Sequence, residues 1–309
     1  MLISRFGDRE ETVRLEVWAT YSILLNRTKL YGNLPQAKDA QFTIGGKRKR
    51  DEGMEVEDTP ITLLRGQVPA LAKALLQQLK STKTKTPTLL GGYSLLNTLL
   101  TVLPGCLAPQ AAQIISNTKA VVQQSSTGSA ANLQVSCLSF LSLFFSSHPA
   151  DTYSGSLDAA LPVLLKCISE RHPKVASEGF RTFSGLLNAL KPVQSGAWVG
   201  KVYDEAVARL VNHDTDAEVR ACAEQVIGDL WICATDIVRD KNGREWEAIC
   251  RATARTEGAV DVVARVALKA EVGDQWVNGC VEWVLGLLKK SGRTGKSDVF
   301  ACLDALLRR

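Results

Sequence analysis

The stretch Val219–Ala234, VRACAEQVIGDLWICA, decides the fold. Counted from Val219, its apolar residues are Cys222, Ala223, Val226, Ile227, Leu230, Trp231 and Ala234, at steps of 3, 4, 7, 8, 11, 12 and 15. That spacing lays one apolar stripe along an α-helix and fits no strand, whose side chains alternate with period two. The same walk runs from Leu133 through Cys137, Leu138, Phe140, Leu141, Phe144 and Phe145. It runs again from Val68 to Leu79, and from Leu157 through Ala160, Leu161, Leu164 and Leu165 to Ile168. No comparable stretch alternates.

Outward from these helices, a fixed interval organises the chain. Pro104, Pro149 and Pro192 each follow a long apolar helix, at spacings of 45 and 43. Leu133, Val175 and Val219 open equivalent helices 42 and 44 apart, and Val68 and Leu157 open another matching pair 89 apart, close to two intervals. Two helices per unit and a period in the low-to-middle forties fall in the HEAT/armadillo range. Short polar breaks at Glu170–Pro173 and His213–Asp216 separate the first helix of a unit from the second. Asp216 fits an N-cap and Pro173 a first-turn position. The expectation is an all-α HEAT-repeat α-solenoid, a superhelical arc of antiparallel helix pairs. It forms a single array over 1–309, with about six pairs plus a partial first unit. Leu2–Phe6 reads as only the tail of a first helix, so the chain is expected to be a segment of something longer or one part of an assembly. The face of that unit near Val17, Tyr21 and Leu24 should then lie open to solvent.

Composition agrees. Hydrophobic residues make up 45% and charged residues 22%, while aromatics are only 6%, a balance for aliphatic helices over sheets. The net charge is +5 with both signs scattered, which is no nucleic-acid-binding profile and suits an acidic partner slightly better than a basic one. Eight cysteines form no CxxC pair, and those inside apolar helices, such as Cys137 and Cys222, read as small buried hydrophobes in a reducing compartment. Met1 leads at once into an amphipathic pattern carrying Arg5, Asp8 and Arg9, which reads as no secretory leader. Leu89–Val102 is broken by Ser94, Asn97 and Thr98 and is too short to cross a bilayer. An intracellular protein with no membrane and no nucleic-acid partner is expected.

Two stretches resemble the cullin-associated, neddylation-dissociated proteins, also called TATA-binding-protein-interacting proteins. Leu2–Val13, LISRFGDREETV, is similar to a hallmark segment that enters a second helix in the middle of their solenoid. The next repeat is matched in order and spacing by Thr59-Pro60, Leu63-Leu64, Gln67-Val68-Pro69, Lys73-Ala74-Leu75, Thr98-Leu99-Leu100 and Val102-Leu103-Pro104-Gly105. Beyond Gly105 the likeness is mainly the repeat pattern, and it thins further after Asp236. The resemblance implies a scaffold that wraps an unneddylated cullin with its RING subunit and helps exchange substrate-receptor modules. It also implies that this chain lacks the family's acidic loop region, its amino-terminal repeats, and the carboxy-terminal repeats that meet the adaptor site. A second polypeptide could complete the solenoid. The Gly45–Asp58 stretch is longer than the family pattern.

No catalytic constellation offsets this reading. His148, His172 and His213 fall in separate turns, and no HExxH, nucleophile elbow or phosphate loop occurs. Gly91-Gly92 lies within a helix and lacks the strand that a nucleotide fingerprint needs. No enzyme activity, cofactor or metal is expected. Gln36–Asp58 has no periodicity and reads as a mobile charged loop between repeats. Its run Lys47, Arg48, Lys49 and Arg50 reads either as a nuclear import signal, giving a cytoplasmic and nuclear protein, or as a solvated charge run neutralised by neighbouring acids. Trp231, Trp246, Trp276 and Trp283 read as core. The second helices usually line the inner face of a HEAT array. Their polar positions Arg14, Lys83, Lys85, Lys174, Glu178, Arg181 and Arg220 are candidate partner contacts, or ordinary solvated charges. Together they would make a basic inner surface able to steer an acidic partner. The rival reading is an importin-type or other HEAT-repeat adaptor, which would want an acidic inner face. A phosphatase-type scaffold would have shorter, more regular repeats.

Overall fold

The computed structural model describes residues 2–31, 59–80, 84–124, 130–194, 196–212, 214–239, 257–290 and 295–308. Thirteen α-helices and no strand lie among them. They fall into two compact units, Met1–Gln110 and Ala111–Arg309, each with its own core.

The first unit holds α1 (Glu11–Tyr31), α2 (Pro60–Leu79) and α3 (Thr86–Val102). α2 starts where the sequence provides a full set of start signals. Thr59 accepts the Thr62 N–H at 3.2 Å, the Thr62 hydroxyl accepts the Thr59 N–H at 3.0 Å, and Pro60 fills the first helical position. α1 packs along α3, and α2 lies against both. Leu2–Phe6 forms a short 3-10 turn ahead of α1 and swings Phe6 into the core. There Phe6 meets Tyr21 edge-on at 5.4 Å and lies 6.2 Å from Trp18. This corrects one expectation. Tyr21 is buried, because the Phe6 ring covers it and its hydroxyl donates to Gln67 Oε1 at 3.0 Å. Leu24, Ile23 and Leu30 on the same helix are exposed. The Gly91-Gly92 pair has a packing role: a Cβ on Gly91 would sit 2.9 Å from Leu15 Cδ2, and one on Gly92 2.9 Å from Leu79 Cδ2.

The second unit runs α4 (Ala111–Gln124), α5 (Ala131–Ser147), α6 (Ser154–Ile168), α7 (Pro173–Leu190), α8 (Ala197–Val211), α9 (Ala217–Cys233) and the short α10 (Thr235–Arg239). It continues with α11 (Glu257–Lys269), α12 (Asp274–Lys290) and α13 (Lys296–Arg308). α5, α7, α9, α11 and α13 stack side by side as one layer, each touching the next, while α4, α6 and α8 stack as the other. The helices at 131, 173 and 217 are the second helices that the 42- and 44-residue spacings foretold. Pro173 opens α7, and Asp216 caps α9 by accepting the Glu218 N–H at 2.9 Å.

Each apolar stripe is buried where the two layers meet. Phe140, Phe144, Phe145, Phe180, Phe183, Leu186, Leu187, Val226, Ile227 and Leu230 have no exposed surface. Full burial of such a side chain is worth roughly 1.5–3 kcal/mol, so the layer interface, not helix propensity, fixes the architecture. Trp231, Trp276 and Trp283 are buried as expected, and Trp246 lies outside the described residues. No helix among the described residues is long and apolar enough to cross a membrane.

Candidate partner-binding face

Each second helix brings a row of polar residues to its edges, and the structure uses many of them between repeats. In the first unit, Arg14 on α1 reaches the backbone carbonyls of Asp8 and Arg9, and its other Nη lies 3.3 Å from Thr88 Oγ1 on α3. Thr88 donates to Glu11 Oε1 at 3.0 Å, and Lys85 Nζ pairs with Glu11 Oε2 at 3.0 Å. The bond from Lys85, then that from Thr88, holds the Glu11 carboxyl below its ordinary range. The expected contacts Arg14 and Lys85 therefore meet through Glu11 and Thr88, neither of which the sequence singles out. Lys83 lies outside the described residues.

In the second unit, Arg181 on α7 pairs with Glu178 at 3.0 Å on its own helix and with Glu218 on α9 at 2.8 Å. The Glu218 bond, more than that from Glu178, raises the guanidinium pKa further. Arg220 on α9 turns back to the carbonyl end of α8, 3.4 Å from Leu210 O and 3.2 Å from Asn212 O. A cation there satisfies orphan carbonyls and offsets the negative end of the helix dipole. Arg209 does the same for α6, donating to Ile168 O at 2.9 Å and Glu170 O at 3.1 Å. Lys174 is exposed and makes no ion pair among the described residues. Five of the six described candidates thus already have internal partners, which reduces the free positive charge of the layer.

Further along, Arg265 on α11 reaches Asp229 on α9 at 2.6 Å and Gln225 O at 3.1 Å. The Asp229 side chain is only 3% exposed. Between these clamps the layer presents small uncharged side chains: Ser136, Ser139, Ser142 and Ser146 on α5, Asn188 on α7, Ala221 and Gln225 on α9. Such a surface lets a partner's backbone come close.

Most of the described cysteines and His148 are buried, while His172 is exposed. Cys137, Cys167, Cys222, Cys233, Cys280 and Cys302 are free and buried, Cys106 is free and partly covered, and Cys250 lies outside the described residues. Burial pushes the Cys167 and Cys302 thiols up to about 12 and those of Cys106 and Cys233 to about 11. His148 is buried, 4.2 Å from the Phe144 ring centroid, with Nδ1 2.8 Å from Phe144 O. Desolvation lowers its pKa against the opposing pull of that carbonyl. No group of three or more potential metal ligands occurs among the described residues.

Two layers of helices repeating every 42–44 residues, with polar clamps between successive second helices, define a HEAT/armadillo-type α-solenoid. Yeast importin-β (Kap95p) has the same fold: a TM-score of 0.61 at 13% identity, covering 99% of this chain and 41% of that one. Kap95p in a structure with RanGDP gives 0.65 at 13%, again over 99% and 41%. A family model described as "CAND1-like, TPR repeats" matches residues 105–227. Cullin-associated NEDD8-dissociated protein 1 of Arabidopsis thaliana is 30% identical over 74% of this chain and 17% of its own length. Protein 2 of Mus musculus is 28% identical over 74% and 18%. The C-terminal part of protein 1 from Emericella nidulans is 22% identical over 99% of this chain and 35% of that protein. The chain is similar to the cullin-associated, NEDD8-dissociated proteins and spans between 17% and 35% of the length of these relatives.

Proposed function

We propose that this chain is one segment of a scaffold that wraps an unneddylated cullin–RING ubiquitin ligase core and regulates its assembly and substrate-receptor exchange. The observation that carries the reading is the family match over the α4–α9 ladder, whose relatives are named for cullin association and NEDD8 dissociation. The second-helix layer is the contact face in this reading. In the second unit, exposed Lys174, the rim of the Glu178–Arg181–Glu218 cluster and Arg220 supply polar contacts around the serine-lined centre; Arg14, Lys83 and Lys85 are the contacts proposed for the first unit by itself. A contact of this kind spreads modest energies over a large area, so the segment alone binds weakly. Neighbouring repeats strengthen it by raising effective concentration.

The two units form one continuous HEAT array in this reading, completed by repeats on the same or a second polypeptide. The 36–58 stretch, with Lys47, Arg48, Lys49 and Arg50, lies outside the described residues; as an import signal it would place the protein in both nucleus and cytoplasm. An importin-type role has fold likeness alone behind it, at 13% identity. A pull-down with the chain as bait, read by mass spectrometry, should recover a cullin with its RING subunit. Recovery of transport cargo without any cullin would replace this function with the importin-type one.

A further inference from the structure

The first-helix layer of the second unit holds a groove of about 390 Å³ between α6 and α8, on the layer away from the face assigned above. Leu161, Pro162, Leu165 and Ala197 make it apolar, and the Trp198 indole forms one wall, held in place by stacking on buried Phe183 at 5.7 Å. The indole N–H has no acceptor among the described residues. Gly196, at φ +152, keeps that edge open: a Cβ there would lie 2.6 Å from Nε1. Across the groove, Pro162 sits inside α6 and offers no N–H to the Asp158 carbonyl. Asp158 and Lys201 stand exposed, one from each helix, with no ion pair among the described residues.

An apolar slot with one indole donor and opposite charges on its two helices matches the backbone and side-chain pattern of a peptide. We propose that this groove docks an extended peptide that places one large apolar side chain against Leu165 and Trp198. A basic residue lies toward Asp158 and an acidic residue toward Lys201. The volume is at the low end of the roughly 300–1,000 Å³ typical of ligand sites, enough for one aromatic anchor. Rigid tryptophans are common anchors of such contacts. The proposal stands independently of any cullin contact on the other layer.

The test uses the 309-residue chain with 15N-labelled indoles and methyl-labelled leucines, titrated to millimolar concentration with two capped pentapeptides, Lys-Gly-Phe-Gly-Glu and its charge-reversed form. The Trp198 indole and Leu165 methyl resonances should shift with the first peptide and shift less with the second. Ala197→Glu fills the slot from an exposed first-turn position where an acid suits the helix dipole, so the fold survives and binding is lost. Lys201→Glu should weaken the first peptide roughly two- to fivefold and bring the two peptides to near-equal affinity. Unmoved Trp198 and Leu165 resonances in the wild-type chain, or equal binding by Ala197→Glu, would overturn the proposal.

Discussion

Removing the Arg265 side chain should destabilise the second unit far more than its partial exposure implies. Arg265 is 26% exposed, but the carboxylate it holds at 2.6 Å, Asp229, is 3% exposed and lies on α9 where it meets α11. Arg265→Ala strands that charge without its counter-ion, a change that costs about 3–5 kcal/mol in buried pairs. For a unit of this size each kcal/mol moves Tm by about 2–4 °C, so Tm should fall by roughly 6–20 °C. Asp229→Asn keeps an acceptor in place and should cost less, roughly 1–2 kcal/mol. The double variant Arg265→Met/Asp229→Leu removes both charges and fills the space, and should return to within about 1 kcal/mol of wild type. Urea titrations followed by circular dichroism, run on all four chains, measure the three costs side by side. If Arg265→Ala lies within about 0.5 kcal/mol of wild type, the pair behaves as a solvated surface contact and the inter-repeat clamp is refuted.

Acid should weaken the fold through His148. Its folded pKa is below the ordinary 6.5, so the unfolded chain takes up the proton first. The stability it contributes is full above pH 6.5 and falls as pH drops toward the folded value. A thermal melt series should therefore show wild type losing more Tm between pH 7 and 5 than His148→Gln does; parallel losses would contradict this. Asp8 and Glu11, with lowered pKa values, act in a separate window below about pH 4.5. Cys167 and Cys302, with thiols pushed up to about 12, should resist iodoacetamide at pH 8 in the folded chain and react once it is unfolded in urea. Their rapid native labelling, read by mass spectrometry, would contradict the burial. Replacing Lys47, Arg48, Lys49 and Arg50 with alanine should move a tagged chain from nucleus to cytoplasm; an unchanged distribution returns the run to a solvated charge cluster.

Much of the architecture was legible because burial leaves a periodic trace. The stripes at Leu133, Val175 and Val219 predicted α5, α7 and α9 and their stacking, and Pro173 and Asp216 marked two helix starts. The family likeness was legible first in Leu2–Gly105, yet the family model matches 105–227, where repeat pattern outweighs single residues. The clamps were not legible. Arg181 meets Glu218 and Arg265 meets Asp229 across 37 and 36 residues, in a lateral register between helices that periodicity along one helix does not encode. For the same reason the sequence counted Arg181 and Lys85 as free positive charge. Tyr21 was misjudged because the turn that folds Phe6 beneath the helix has no periodic signature. Trp198 drew no attention, since its place beside Gly196 and opposite Pro162 exists only once α6 and α8 are packed.

The central claim is cullin binding by the second-helix layer. The most direct measurement is a binding titration of the chain, alone and joined to the neighbouring repeats of its longer relatives, against cullin–RING with and without its ubiquitin-like modification. The joined form should bind the unmodified core much more tightly than the segment alone does. It should lose affinity once the modification occupies the wrapped groove, and weaken only modestly as salt rises, because Arg181 and Lys85 are already paired internally. Equal affinity for modified and unmodified cullin, or binding to neither, would contradict the claim.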